Sequence, residues 1–371
     1  MSGWKKYGRD YPLPNWRLYR RGFMRIAFFV NSIETEGPNY ATGLLAMAAL
    51  NRGHEVVYLT PGDFTLRADD SLTIHATVLP KTKYKKSEGF HAALQDKALE
   101  RRTMDVEEID ALMLRNDPSL DQTTRPWAVH AGILFGRLAE QRGVVVLNDP
   151  EGLALAQNKL YFQSFPEIVR PTTIISRNVD EIRAFADGHP KGVIVKPLQG
   201  SGGKNVFKIG SSKEANLNQI FEAVSLEGYL IAQAYLPAAK DGDIRFFMMN
   251  GRPLMRDGKY AALRRVPAKG DLRSNIHAKG TAEAVKVTDE IVALAEMVRP
   301  KLVEDGMFLV GLDIVGDKIL EVNVFSPGGL SNIRDLTEMD FSDTIIEAVE
   351  TKISMQSASG GTISNRLLAT L

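Results

Sequence analysis

Apolar residues arrive in short bursts along most of this chain. Met24–Asn31 (MRIAFFVN) has the pattern of a buried strand, and Asn39–Asn51 spaces Leu44, Leu45, Met47 and Ala48 along one helix face that Gly53 stops. Glu55–Thr60 (EVVYLT) is the next strand, and strand–helix–strand implies a parallel crossover. Asp110–Arg115 and Val144–Asn148 repeat the pattern around a further helix, so residues 24–148 are expected to form an open parallel α/β domain. Its first turn, NSIETEGPNY, has one glycine where a dinucleotide fingerprint needs three.

After Asp149-Pro150 the texture changes. The pattern predicts a helix over Glu151–Phe162, strands at Thr172–Ser176, Gly192–Lys196 and Asn205–Ile209, a helix over Lys213–Val224 and a strand at Tyr229–Ala234. This mixture reads as an α+β module over 149–234. A second module over 235–352 is expected from strands at Asp243–Met249, Pro253–Arg265, Met307–Val315 and Lys318–Phe325, with helices at Val287–Glu304 and Ser342–Lys352. Residues 1–23, with two prolines and several basic and aromatic side chains, read as an arm. Residues 353–371, rich in serine and glycine, read as a mobile tail.

Composition narrows the classes. The 371 residues fit two or three domains of about 150 residues each. Lysine plus arginine is 46 against 45 for aspartate plus glutamate, so no broad basic field favours nucleic acid as a partner. The absence of cysteine excludes disulfides, thiolate metal sites and cysteine nucleophiles. No apolar run approaches the ~18 residues of a membrane span, and the first residues lack the apolar core of a secretory signal. The expectation is a soluble cytoplasmic protein with no membrane partner.

Candidate chemistry lies in three places. Gly200-Ser201-Gly202-Gly203 sits between two strands without the spacing or following helix of a P-loop, yet such a turn can lay backbone N–H groups over phosphates. Lys196 ends the apolar strand GVIVK just before it and must either reach water or meet an anion, for which phosphate is well suited. Lys159 is a second candidate cation. Further on, GLDIVGDKILEVNVFSP carries Asp313, Glu321 and Asn323 inside two apolar strands. A two-residue turn at Gly316-Asp317 would send Asp313 and Glu321 to opposite faces. A three-residue loop, 316–318, would set Asp313 opposite Glu321 and Gly311 opposite Asn323, with all three oxygen ligands on one face. The three-residue loop is expected, because the alternative buries an unpaired carboxylate. Oxygen donors without imidazole or thiolate suit Mg2+. Arg245 faces away from Ile244 and Phe246 on its strand, and Arg265 and Arg273 flank a glycine-containing loop. Together the three can clamp a carboxylate and developing phosphoryl charge.

The order KPLQGSGGKNVF, AQAYLPAAKDGDIRFF, LRRVPAKGDLRSNI and GLDIVGDKILEVNVFSP, with LMLRNDPSLD and LNDPEGLALAQNKLYF upstream, resembles the ATP-grasp superfamily and within it the bacterial glutathione synthetase family. The resemblance covers roughly residues 24–352. It implies an ATP-grasp fold behind an N-terminal α/β domain, with ATP between the central and C-terminal parts. It implies that Lys159 and Lys196 contact the phosphates and adenine N7, that the 200–203 turn covers the phosphates, and that Gln233, Ala234, Tyr235 and Leu236 form the adenine hinge with Asp243 near the ribose. Asp313, Glu321 and Asn323 would bind two Mg2+, with Mn2+ as the alternative. Arg245, Arg265, Arg273 and Asn275 would address the phosphoryl group and the substrate, and Ser326 would also contact substrate. The implied reaction joins a carboxylate to an amine through an acyl phosphate, γ-glutamylcysteine plus glycine and ATP giving glutathione, ADP and phosphate, in a homodimer or homotetramer. The same chemistry on another amino acid or peptide, and a non-catalytic ATP-binding protein, are the alternatives. The chain departs from the family at Ser331, where the family carries an arginine suited to an acceptor carboxylate. Arg334 lies three residues on. The first loop, SIETEGPNYATG, also differs from the family's lysine-containing stretch.

Overall fold

A computed structural model describes residues 23–200, 205–214, 216–225, 228–268 and 280–371. The arm expected over 1–23 lies outside these residues except for Phe23, whose ring carries the Lys81 ammonium at 3.7 Å.

The N-terminal sheet contains β1 (Arg25–Phe29), β2 (Glu55–Leu59), β3 (Phe64–Leu66), β4 (Leu72–Val78), β5 (Glu100–Asp105), β6 (Ala111–Leu114) and β7 (Val145–Leu147). β1 pairs in parallel with β2 and β6, and β6 with β7, as the crossovers require. The sheet is nevertheless mixed, not wholly parallel: β4 runs antiparallel to β2, β3 and β5. Strands β3, β4 and β5 lie in the stretch between Thr60 and Asp110 that the sequence reading leaves unassigned. Leu72, Ile74, Ala76 and Val78 alternate with polar residues there, and the short link from Leu66 to Leu72 allows β3 and β4 only an antiparallel pairing. Helix α1 (Ala41–Asn51) is buried on nearly every side, wedged between this sheet and α2 (Ser87–Leu94) on one flank and the later C-terminal helices on the other. Helix α3 (Ala131–Glu140) makes the second crossover.

Asp149 caps the short helix α4 (Pro150–Leu155), its Oδ1 accepting from the N–H groups of Glu151 and Gly152. The expected helix to Phe162 therefore stops early. Asn158 starts a separate 3-10 turn, Lys159–Ser164, by accepting from Leu160 N–H at 3.0 Å. Next comes a four-stranded antiparallel sheet of β8 (Thr173–Ser176), β9 (Val193–Pro197), β10 (Phe207–Ile209) and β11 (Leu230–Ala234), ordered β10-β9-β11-β8. Its apolar face packs under α5 (Val179–Asp187) and α6 (Leu217–Ser225).

The third sheet is ordered β17-β16-β12-β18-β19, from β12 (Asp243–Met249), β16 (Ala262–Val266), β17 (Thr281–Glu283), β18 (Leu309–Val315) and β19 (Lys318–Asn323), with β13 (Arg252–Pro253) beside β12. The run expected as one strand over Pro253–Arg265 is broken by a small hairpin of β14 (Met255–Arg256) and β15 (Lys259–Tyr260), turning at Asp257-Gly258 where both residues have positive φ. Ile244, Phe246, Leu312, Ile314 and Ile319 bury one face in the largest core cluster, which includes α7 (Asp289–Glu304). On the other face Phe247, Leu263 and Leu309 pack toward α8 (Leu330–Thr337) and α9 (Ser342–Ala358).

The tail is packed, contrary to the expectation of mobility. Helix α9 runs on to Ala358, α10 (Asn365–Leu368) follows, and Leu368 and Ala369 are fully buried. Asn365 acts as a strand residue on the edge of β7: its Oδ1 accepts from Val146 N–H at 2.8 Å and its Nδ2 donates to Val146 O at 2.8 Å and Asp149 Oδ2 at 3.0 Å. Asn365→Ala would orphan buried groups at about 1–3 kcal/mol each. We expect it to lower unfolding stability by about 3 kcal/mol, read from urea denaturation.

Candidate active site

The third sheet builds the polar centre by register. Arg245 on β12 stands opposite Asp313 on β18, which stands opposite Glu321 on β19, while Gly311 stands opposite Asn323. Asp243 stands opposite Arg265 on β16. Paired residues and residues two apart share a face, so all six polar side chains lie on one side. The hairpin reaches this register by an unexpected route. Its loop is the two-residue turn Gly316-Asp317, since Val315 stands opposite Lys318, and a bulge at Leu320 then restores Asp313 to Glu321. Gly316 takes the left-handed backbone, φ 58°, that such a turn demands.

Asp313 is 5% exposed. Its Oδ1 accepts from Arg245 Nε at 2.6 Å. Its Oδ2 accepts from Arg245 Nη2 at 3.2 Å and Asn323 Nδ2 at 3.2 Å, and pairs with Arg265 Nη2 at 2.8 Å. Burial pushes the carboxyl up, but Arg245 and then Arg265 outweigh it and hold it at about 2. Arg265 also grips Asp243, its Nε 3.0 Å from Oδ2. Asp243, like Arg245, Arg265 and Asp313, is engaged in these ion pairs and is not among the residues lining the cleft.

Across that cleft, of about 970 Å3 and open to solvent, lie Lys159, Lys196, Gly200 and Gln233. Glu321, Asn323 and Ser326 line the near wall. Burial holds the Lys196 ammonium below its ordinary range, with Glu321 pulling it back up and Lys159 adding to the lowering. Lys196 Nζ donates to Gln233 Oε1 at 3.3 Å, and Gln233 Nε2 donates to Thr173 Oγ1 at 3.4 Å. Lys159 is tied to the glycine turn through its ammonium on Gly200 O and its N–H on Leu198 O at 3.0 Å. Beyond Gln233 the chain leaves β11 through Ala234, Tyr235 and Leu236. Tyr235 N–H donates to Gly192 O at 3.0 Å, and Lys208 stacks on the Tyr235 ring at 3.6 Å. Ser201, Gly202, Gly203, Arg273 and Asn275 lie outside the described residues.

The donor set fits a hard divalent cation. Glu321 accepts no hydrogen bond from a described residue, so its carboxylate is available to an ion. At Asp313 an ion would compete with Arg265 and the Asn323 amide hydrogen. Among the described residues no three His, Cys, Asp or Glu side chains form a metal cluster, so the Asn323 amide oxygen and ligand oxygens would complete the shell.

The comparisons with known proteins meet this geometry. The description "Prokaryotic glutathione synthetase, N-terminal domain" matches residues 24–154, and "Prokaryotic glutathione synthetase, ATP-grasp domain" matches residues 158–338. Glutathione synthetase of Vibrio parahaemolyticus is 32% identical over 311 residues, covering 83% of this chain and 92% of that protein. The chain belongs to the prokaryotic glutathione synthetase family. The Escherichia coli K12 glutathione synthetase is 30% identical over 314 residues, 84% of this chain and 93% of that one. The fold is shared with D-alanyl-alanine synthetase A from Vibrio cholerae, with a TM-score of 0.53, 14% identity, and 90% and 99% of the two chains covered.

Within this family the departure at Ser331 has a structural counterpart. Ser331 is 4% exposed and donates from Oγ to Asn39 O at 2.8 Å, so the 326–331 segment closes on the first loop. Arg334 bonds to its neighbour Asp335 at 3.0 Å.

The sequence reading also missed a polar trio of which Arg115 and Tyr58 are buried and Glu36 is half-buried. Arg115 follows β6 and is 5% exposed, Tyr58 on β2 is fully buried, and Glu36 sits half-buried in the first loop. The signal was present: LMLR ends an apolar strand in a cation, as GVIVK does. Burial pushes the Glu36 carboxyl up to about 7 against the pull of Arg115. A folded value above the unfolded 4.5 means that this contribution to stability is full below pH 4.5 and is lost as pH rises toward 7 and beyond. Glu36→Gln removes the penalty. Relative to the parent, its unfolding free energy from urea denaturation is expected to rise between pH 5 and pH 8, by at most about 3 kcal/mol.

Proposed function

We propose that the protein is an ATP-dependent ligase that joins a carboxylate to an amine, and that its substrates are γ-glutamylcysteine and glycine. The observation that carries this reading is the single polar face Arg245–Asp313–Glu321–Asn323, of which Glu321 and Asn323 line one cleft together with Lys196 and Lys159. Cations on one wall and oxygen donors on the other suit a nucleoside triphosphate lying between. Family membership supplies the reaction class, and relatives bearing the glutathione synthetase name supply the substrates.

Lys159 and Lys196 hold the phosphates, and the 200–203 turn covers them. Gln233 to Leu236 receive the adenine, with Gln233 also setting the Lys196 ammonium in place. Asp243 anchors Arg265, which with Arg245 faces the charge that spreads over the phosphoryl oxygens as the acid's carboxylate attacks the γ-phosphorus. Arg273 and Asn275 join them from the loop, and Ser326 borders the acid. The resulting acyl phosphate is attacked by the amine and phosphate leaves, so water must be kept out until the amine arrives. Asp313, Glu321 and Asn323 would hold two Mg2+, which offset charge on the phosphate oxygens. No side-chain nucleophile is needed.

Incubation of the full chain with Mg-ATP and a matrix of acids and amines, γ-glutamylcysteine and glycine included, tests the proposal. ADP release only when both are present, with a product of glutathione mass, is expected. ADP release with a different pair would replace the substrates and keep the chemistry. Nucleotide binding without ADP release across the whole matrix would overturn the ligase reading.

A further inference from the structure

Lys159 rides on a piece of chain that cannot hold its own position. The turn Lys159–Ser164 is a 3-10 segment of six residues, too short and too weakly bonded to be stable by itself. Where its ammonium stands is therefore set by what the segment is docked against. Toward the four-stranded sheet it is tied by Lys159 N–H on Leu198 O at 3.0 Å. On the other side the chain from Asp149 to Tyr161 meets the end of α7, at Asp305 and Gly306. Asp149 N–H donates to Gly306 O at 3.1 Å. Gly152 passes so close that a Cβ there would lie 1.9 Å from the Asp305 carbonyl oxygen. Tyr161, two residues past Lys159, donates its hydroxyl to Asp305 Oδ2 at 2.7 Å.

Asp305 is an unfavourable residue for its place. It caps the carboxyl end of α7, where the helix dipole is negative and cations are favoured, and it is 1% exposed. A buried carboxylate there is costly unless matched. Lys301, one turn back on α7, matches one oxygen, its Nζ 2.8 Å from Oδ1. Tyr161 takes the other. Burial and then the Asp305 bond hold the Tyr161 phenol well above its ordinary range, so it stays a donor. The ring lines the cleft with Lys159 and packs edge-on against Phe165 at 5.2 Å. A charged acceptor at the helix end makes a stronger bond to the phenol than a neutral one would, and that bond is what the awkward placement of Asp305 secures.

We propose that Tyr161 and Asp305 are positioning residues for the Lys159 ammonium: their bond fixes the 3-10 turn to the end of α7 and so sets where the ammonium meets nucleotide phosphates. This rests on the phosphate contact assigned to Lys159 above and adds what holds that lysine in place. Tyr161 acts through Lys159, its hydroxyl being taken by Asp305.

Calorimetric titration of the full chain with a non-hydrolysable ATP analogue and Mg2+ tests this. Lys159→Met should weaken binding by at least about thirtyfold, and Tyr161→Phe by about tenfold. In the Lys159→Met background Tyr161→Phe should change affinity by less than about twofold, because no ammonium remains to be placed. A merely structural hydroxyl would lower the melting temperature and leave affinity as it is. Asp305→Ala should match Tyr161→Phe, and Asp305→Asn, which keeps an acceptor for the hydroxyl, should hold affinity within about threefold of the unaltered protein. If Asp305→Ala does not fold, Tyr161→Phe and Asp305→Asn decide. The same loss from Tyr161→Phe in both backgrounds, full affinity in Tyr161→Phe alone, or a tenfold loss in Asp305→Asn would each overturn the positioning role. ADP release, followed in parallel with acids and amines, separates the two claims. Coupled nucleotide binding without turnover sinks the ligase reading and leaves the positioning pair, whereas turnover with additive variants sinks the pair alone. Failure of the unaltered protein to bind the analogue sinks both.

Discussion

Glu321→Ala should reduce substrate-dependent ADP release by at least about a thousandfold, the scale expected when preorganised charge stabilisation at a phosphoryl group is removed. Its fold should survive, because the side chain is half-buried and accepts no hydrogen bond from a described residue. Asp313→Ala should lose turnover as completely but also lose stability, by about 3–5 kcal/mol, because it leaves Arg245 and Arg265 buried beside one counter-charge fewer. The pair of variants therefore separates metal holding from structural pairing. Thermal melts and Mn2+ binding followed by electron paramagnetic resonance check it alongside the ADP assay. Full turnover in Glu321→Ala would refute the metal assignment.

Lys196→Met should raise the KM for ATP by at least about thirtyfold, consistent with loss of a desolvated charge from a phosphate, while raising the melting temperature. The two effects have one cause. Burial disfavours the ammonium, as its lowered pKa records, and the Gln233 oxygen at 3.3 Å is a weak recompense. Methionine fills the same length without a charge to desolvate. A site that binds an anion is less stable than it would be without that function. A purely structural lysine would show the opposite, with lower stability and unchanged KM, in nucleotide titration and calorimetry.

Much of the candidate site's geometry was legible because charges at the ends of apolar strands are costly unless matched. GVIVK marked Lys196, and the apolar background of GLDIVGDKILEVNV marked Asp313 and Glu321. The same rule applied to LMLR would have marked Arg115. Its partners could not be found this way, since Glu36 and Tyr58 meet it only through the folding of three separate segments. The tail failed as a sequence reading because serine and glycine content says nothing about a single asparagine that completes an open strand edge.

The hairpin from Leu309 to Asn323 shows the division most plainly. The chain by itself required Asp313 and Glu321 to share a face, because a buried carboxylate without a partner is too costly to keep. It did not determine how. A three-residue loop and a two-residue turn followed by a bulge bring the same atoms together, and both are compatible with the local residues. Tertiary structure chose the second, and it also supplied the arginines from β12 and β16 that surround Asp313. Burial energy acts on which side chains meet, whereas loop length and strand partner depend on neighbours far away in sequence.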